Sequence, residues 1–208
     1  MGGKSQTHLD RAVAELGRSQ HGVVALFQLL EIGLSRRAVE RRIQAGRLHR
    51  LHWGVYAVGH RKLTRQGRWM AAVLAGGEDA VLSNHAAAAH LTLLPFAAKP
   101  EVTLPRVLRD RDGIRFHCAT LPPDEITEHD GIPVTTVART LFDLAAAKSR
   151  HLDRAFREAE YRQLADEGDS PSSFAAIQAG AAPRGSEMRW PMPRRLPVGL
   201  GATSSANS

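Results

Sequence analysis

Residues 33–58 read Gly33-Leu34-Ser35-Arg36-Arg37-Ala38-Val39-Glu40-Arg41-Arg42-Ile43-Gln44-Ala45-Gly46, followed by Arg47-Leu48-His49-Arg50-Leu51-His52-Trp53-Gly54-Val55-Tyr56-Ala57-Val58. The first half has helical spacing: Ser35 offers an N-cap oxygen, Val39 and Ile43 recur on one side, and Gly46 can close the C-terminus. A helix over Arg36 to Ala45 is therefore predicted. After Gly46 the period falls to two, and Gly54 between two strand-like runs signals a hairpin. Upstream, Thr7 is expected to cap a helix over His8 to Leu16, with Leu9, Val13 and Leu16 on one side and Gly17 as its stop. Val23, Val24, Leu26, Phe27, Leu29, Leu30 and Ile32 read as the apolar side of a second helix ending at Gly33. Helix, helix, tight turn, helix and hairpin is the order of a winged helix-turn-helix, expected over residues 7–62.

Downstream the pattern is mixed. Arg65 to Ala75 and Asn84 to Leu93 read as helices, the latter capped by Ser83 and stopped by Pro95. Glu101 to Leu104 and Ile114 to Ala119 read as strands joined by the charged turn Arg109-Asp110-Arg111-Asp112-Gly113. Asp130-Gly131 is the strongest hairpin signal in the chain, between strands Glu125 to His129 and Ile132 to Thr136. Val137 to Ala147 and Leu152 to Leu164 return to helical spacing, with Leu141, Leu144, Leu152, Phe156 and Ala159 as core candidates. The whole is expected to be α+β: the winged helix-turn-helix, a mixed α+β domain over 63–166, and a disordered tail over 167–208. In the last 40 residues 16 are Pro, Gly or Ser, too few apolar groups to offset the entropy of ordering.

The chain has 208 residues and a net charge of +7, unevenly placed: residues 1–65 carry +8, residues 66–168 carry −3 and the remainder +2. A small basic segment on a mildly acidic body points to nucleic acid as the partner of the first part. No apolar run approaches ~18 residues, so no membrane span is expected. The start, Met-Gly-Gly-Lys-Ser-Gln, lacks a secretory apolar core and a myristoylation Ser or Thr, so a cytoplasmic setting is expected. The single Cys118 excludes an internal disulfide and a four-thiolate zinc site.

On the helix 35–45, Arg37, Arg41 and Gln44 lie opposite Val39 and Ile43. Arg can read guanine bidentately and Gln can read adenine, so these three are the base-reading candidates. Arg36, Arg42, Arg47, Arg50 and Arg61 suit phosphates. His49 and His52 add potential cations to the hairpin. Trp53 and Tyr56 could stack on a base, but are assigned to the core. Against a metal, His49 and His52, His85 and His90, and His117 and Cys118 all have spacings that point their side chains apart, and no His-Glu-x-x-His or Cys-x-x-Cys occurs. Ser83-Asn84-His85 reads as a helix start rather than a nucleophile, and Asp143 and Asp153 stand as isolated carboxylates. No catalytic residue, metal or cofactor is predicted, and no enzyme.

The runs Gln20-His21-Gly22-Val23-Val24, Gln28-Leu29-Leu30, Gly33 to Arg42, Gly46 to His52, Gly54 to Gly59 and Asp130-Gly131-Ile132-Pro133-Val134-Thr135-Thr136 together resemble the AbiEi-like type IV antitoxin family, in its actinobacterial branch. The likeness spans about Leu9 to Leu164. It implies a DNA-binding antitoxin or transcriptional repressor, with Ser35 to Gln44 as recognition helix and Leu48 to Val58 as wing. The second domain would counter a nucleotidyltransferase-like toxin. Because one short basic helix offers few base contacts, a homodimer or a second subunit is expected on double-stranded DNA. Two departures stand out. Ala25 replaces the Ser or Thr that caps the second helix in relatives, which predicts a frayed start worth ~1 kcal/mol. After Leu164 the chain also lacks the Glu-x-Asp-bearing, restriction-endonuclease-like domain of similar proteins, as a frameshifted or truncated gene would. The alternative function is accordingly a remnant of a DNA-processing nuclease that keeps only its DNA-binding part.

Overall fold

The computed structural model describes residues 3–95 and 99–164, so the expected disordered tail, 167–208, lies outside the described residues. Among these the chain is mixed α and β, with seven α-helices and two sheets. The first part comprises α1 (Gly3–Ser19), β1 (Val23–Ala25), α2 (Leu26–Glu31), α3 (Arg36–Gln44), β2 (Leu48–His52) and β3 (Val55–Val58). Its three strands form an antiparallel sheet in the order β1-β3-β2, with Val23 opposite Ala57 and Leu48 opposite Val58. Val13, Val24, Leu29, Leu34, Val39, Leu48 and Tyr56 make its core.

Three expectations for this part are corrected. The first helix begins before Thr7 and runs through Gly17, so Thr7 is not its cap and Gly17 not its stop. Gly17 is instead a packing residue: a Cβ there would sit 2.8 Å from Val58 Cγ2, and only glycine lets α1 lie on β3 this closely. Val23 and Val24 form a strand rather than the start of a helix, because β3 offers ladder partners and β-branched side chains suit a pleat. The start of α2 is tied down despite Ala25. The Gln28 side-chain oxygen accepts the Ala25 N–H (2.9 Å), and the Gly54 carbonyl accepts that of Leu26 (2.7 Å). α3 forms as expected, with the Ser35 hydroxyl accepting the Ala38 N–H at 3.2 Å.

The second part comprises α4 (Arg65–Gly76), β4 (Val81–Leu82), α5 (Asn84–His90), β5 (Glu101–Leu104), β6 (Arg115–Cys118), β7 (Ile126–His129), β8 (Ile132–Thr135), α6 (Val137–Ala146) and α7 (Leu152–Tyr161). The five strands are ordered β6-β5-β4-β8-β7. Asp130 (φ 49°) and Gly131 (φ 72°) turn the β7–β8 hairpin, both central residues having the positive φ of a type I′ turn. The charged turn at 109–113 does not make a hairpin: β5 and β6 run parallel, Val102 opposite Phe116. Ser83 does not cap α5 through its side chain, for its hydroxyl is buried and accepts a hydrogen bond from Thr103 Oγ1 (2.8 Å). That helix also stops at His90, short of Leu93.

α4 packs on both sheets. Val23 and Val55 of the first sheet share one apolar cluster with Trp69, Met70, Leu82, Val102, Ile132 and Val134. The two parts also approach closely at Gly67, where a Cβ would lie 2.7 Å from the His21 carbonyl oxygen. A separate cluster joins Ala88, Leu93, Leu141, Leu144, Ala155 and Ala159. No helix among the described residues is long and apolar enough to cross a membrane.

Candidate nucleic-acid interface

Burial of Val39 against the first core fixes which side of α3 faces out. Arg36, Arg37, Glu40, Arg41 and Gln44 are all exposed. Arg47 at the entry of β2, Arg50 within it and Arg61 after β3 are exposed as well, and Arg61 Nη2 donates to the Arg50 carbonyl (3.3 Å), which holds the two side by side. Between Glu40 and Glu78 the chain contains no carboxylate. The fold nevertheless brings Asp10 to Arg42 and Arg47 and Asp112 to within 3.7 Å of His52, and Glu40 stands on α3 itself.

Arg42 departs from the expected set. Its side chain is 11% exposed and its Nε and Nη2 both donate to Asp10 Oδ1, at 3.0 and 2.6 Å, while Nη1 donates to the Ala38 carbonyl. It brackets α3 to α1 and is not free to hold a phosphate. The second Asp10 oxygen accepts from Arg47 (3.0 Å), whose side chain nevertheless stays 66% exposed. Position 42 looked like its neighbours because the residue that claims it is 32 positions away. Replacing Arg42 by alanine removes a charge-assisted pair and is expected to cost about 2 kcal/mol. That lowers the melting temperature by roughly 4–8 °C for a fold of this size. The same measurement on Arg37→Ala should show almost no change.

The hairpin histidines are held by the fold. His49 Nε2 donates to the Gly59 carbonyl (3.1 Å). His52 is largely buried, and burial pushes its pKa below the ordinary value despite Asp112, 3.7 Å away. Tyr56 is core, as expected. Trp53 is not: at the hairpin turn it is 78% exposed.

The tertiary fold also assembles groups whose sequence spacing conceals them. His90, His129 and Asp130 have ligand atoms within 4.8 Å of one another, although the His90 Nε2–H already donates to the His129 carbonyl. Burial against Trp69, whose ring centroid is 5.1 Å away, lowers the His90 pKa. Asp143, isolated in the sequence, pairs with Arg139 (2.8 Å), which also holds Glu125.

His85 donates from Nδ1 to Glu101 (3.1 Å) and its Nε2 is hydrogen-bonded to the Ser149 hydroxyl (2.9 Å); His117 holds the other Glu101 oxygen (2.9 Å). The Ser149 oxygen also accepts the His151 N–H (3.2 Å), so this chain of contacts latches the α6–α7 turn to the sheet. Burial by itself would raise the Glu101 pKa, but the hydrogen bond from His117 and the nearby His85 and Arg115 outweigh it and hold the pKa below its ordinary 4.5. A carboxylate whose pKa is depressed by folding stabilises the fold above its unfolded pKa, and that stability is lost as pH falls through the folded one. The stability difference between the parent chain and Glu101→Gln, read from urea midpoints, should therefore shrink as pH falls below about 5. A difference that stays flat down to pH 3 would contradict the assignment.

No family model matches the chain, and no curated protein matches it. Among solved structures it is similar to the Rv2827c protein of Mycobacterium tuberculosis. The identity is 16%, over 84% of this chain and 81% of that one, with a TM-score of 0.43. A likeness at that level carries no argument about function, which rests on the residues themselves.

Proposed function

We propose that this chain is a sequence-specific double-stranded DNA-binding regulator of the antitoxin type, without a catalytic step of its own. In this reading residues 7–62 are a winged helix-turn-helix, α3 is the recognition helix and the β2–β3 hairpin is its wing. The observation that carries it is the run of exposed donors on α3, Arg36, Arg37, Arg41 and Gln44. They stand on a helix anchored by Val39 and are flanked by exposed Arg47, Arg50 and Arg61. Long donors on the outer face of a helix are what a major groove accepts, and cations beside it suit phosphates. The order of elements, helix, strand, two helices and hairpin, supports the same assignment. The partners this implies are duplex DNA, a second copy of the chain in the cytoplasm, and a nucleotidyltransferase-like toxin for the second part.

Fluorescence anisotropy on a labelled duplex from the chain's own promoter, measured at several salt concentrations, tests the proposal. With Arg36, Arg47, Arg50 and Arg61 on phosphates, log K should fall with log salt at a slope of about −3 to −4 per protomer. Affinity that is independent of salt, or equal for promoter and unrelated duplex, would overturn it.

A further inference from the structure

We infer that Trp53 is an aromatic contact to duplex DNA, inserted at the minor groove next to the major groove that α3 reads. The inference rests on the DNA-binding proposal and adds a residue and a groove to it. Tryptophan carries the largest apolar surface of any side chain and is highly buried on average, so an indole 78% exposed at a hairpin turn asks for an external partner. The turn does not need it. Gly54 supplies the positive φ (72°), and the Leu26 N–H donates to the Gly54 carbonyl at 2.7 Å, which pins the turn to the start of α2. Trp53 is thus presented by a fixed backbone, so little backbone freedom remains to be lost on binding.

Its surroundings select the partner. Arg50 and Arg61 are exposed on the same hairpin region, against one carboxylate, Asp112, 3.7 Å from His52. A flat apolar ring on a hairpin that carries two exposed guanidinium groups suits a polyanion that also offers aromatic faces, since any unstacked base has a π-face. Side chains that wedge into base steps from the minor groove use the same combination of apolar insert and flanking cations.

The test uses the full chain carrying Trp190→Phe, so that emission comes from Trp53 and from Trp69, which is only 3% exposed. Titration with the promoter duplex should quench the exposed component of the emission. Trp53→Ala should bind that duplex about 5- to 150-fold more weakly, the range expected for one stacking contact. Its salt slope should stay unchanged, because no charge is removed, and Trp53→Phe should recover most of the affinity. The urea midpoint of Trp53→Ala should match the parent, which separates lost contact from lost fold. Equal affinity of Trp53→Ala with no quenching, while the duplex still binds the parent, overturns this inference and leaves the DNA-binding proposal standing. A change in oligomeric state of Trp53→Ala by light scattering, with affinity unaltered, also overturns it, by making a second copy the partner. Failure of the parent to bind any duplex overturns the DNA-binding proposal itself.

Discussion

The Arg37→Ala/Arg41→Ala double variant is expected to lose promoter affinity by about 30- to 20,000-fold, at about 1–3 kcal/mol for each bidentate base contact removed. Both side chains are exposed and no folding role is visible for either, so the loss should come without a change in urea midpoint. The form of the loss matters as much as its size. Removing base-reading groups should collapse the preference for promoter over unrelated duplex. Removing Arg50 or Arg61 should instead weaken both duplexes alike and lower the salt slope by about one. Unchanged discrimination in the double variant, at fixed salt, would mean that α3 is not the reading element. Gln44→Ala belongs to the same experiment and should relax the preference at a single base position.

Leu82→Ala should destabilise the whole described fold by about 2–5 kcal/mol, the cost of a cavity at a fully buried leucine. Leu82 lies in the central strand β4, between Val102 of β5 and Val134 of β8. Its apolar cluster extends to Val23 and Val55 of the other sheet. Damage at Leu82 should therefore be felt in the first sheet as well. Urea unfolding followed by tryptophan emission and by far-ultraviolet circular dichroism should give one coincident transition, displaced as a unit. Two separated transitions, with the first part unmoved, would show that the shared cluster does not couple the sheets.

Signals confined to a few neighbouring residues were legible in the sequence. Ser35 before an alternating run of arginines and apolar residues marks α3, and Asp130-Gly131 marks a hairpin, because a cap and a type I′ turn are decided locally. Short strands were not legible. β1 has three residues and β4 has two, too few for any period, and a Val-Val pair next to a helix reads equally well as its first turn. Gly17 was misread because its reason is Val58, in another element. Arg42 was misread through Asp10, and Trp53 because an aromatic in a strand-rich run is ordinarily buried. The His85–Glu101–Ser149 chain links residues up to 64 positions apart, so no spacing rule reaches it.

A Cβ at Gly67 would lie 2.7 Å from the His21 carbonyl oxygen, and Val23 and Val55 share one apolar cluster with Leu82 and Val134, so the first sheet and the five-stranded sheet are packed together through α4. A protomer seated on a duplex would then hold that sheet at one angle to the double-helical axis, as a flag is held by its pole. Two protomers on one operator would be rotated against each other by the screw of the DNA, about 34° per base pair at 10–10.5 base pairs per turn. The number of base pairs between half-sites, rather than any adjustment within the protein, would decide whether their second sheets meet.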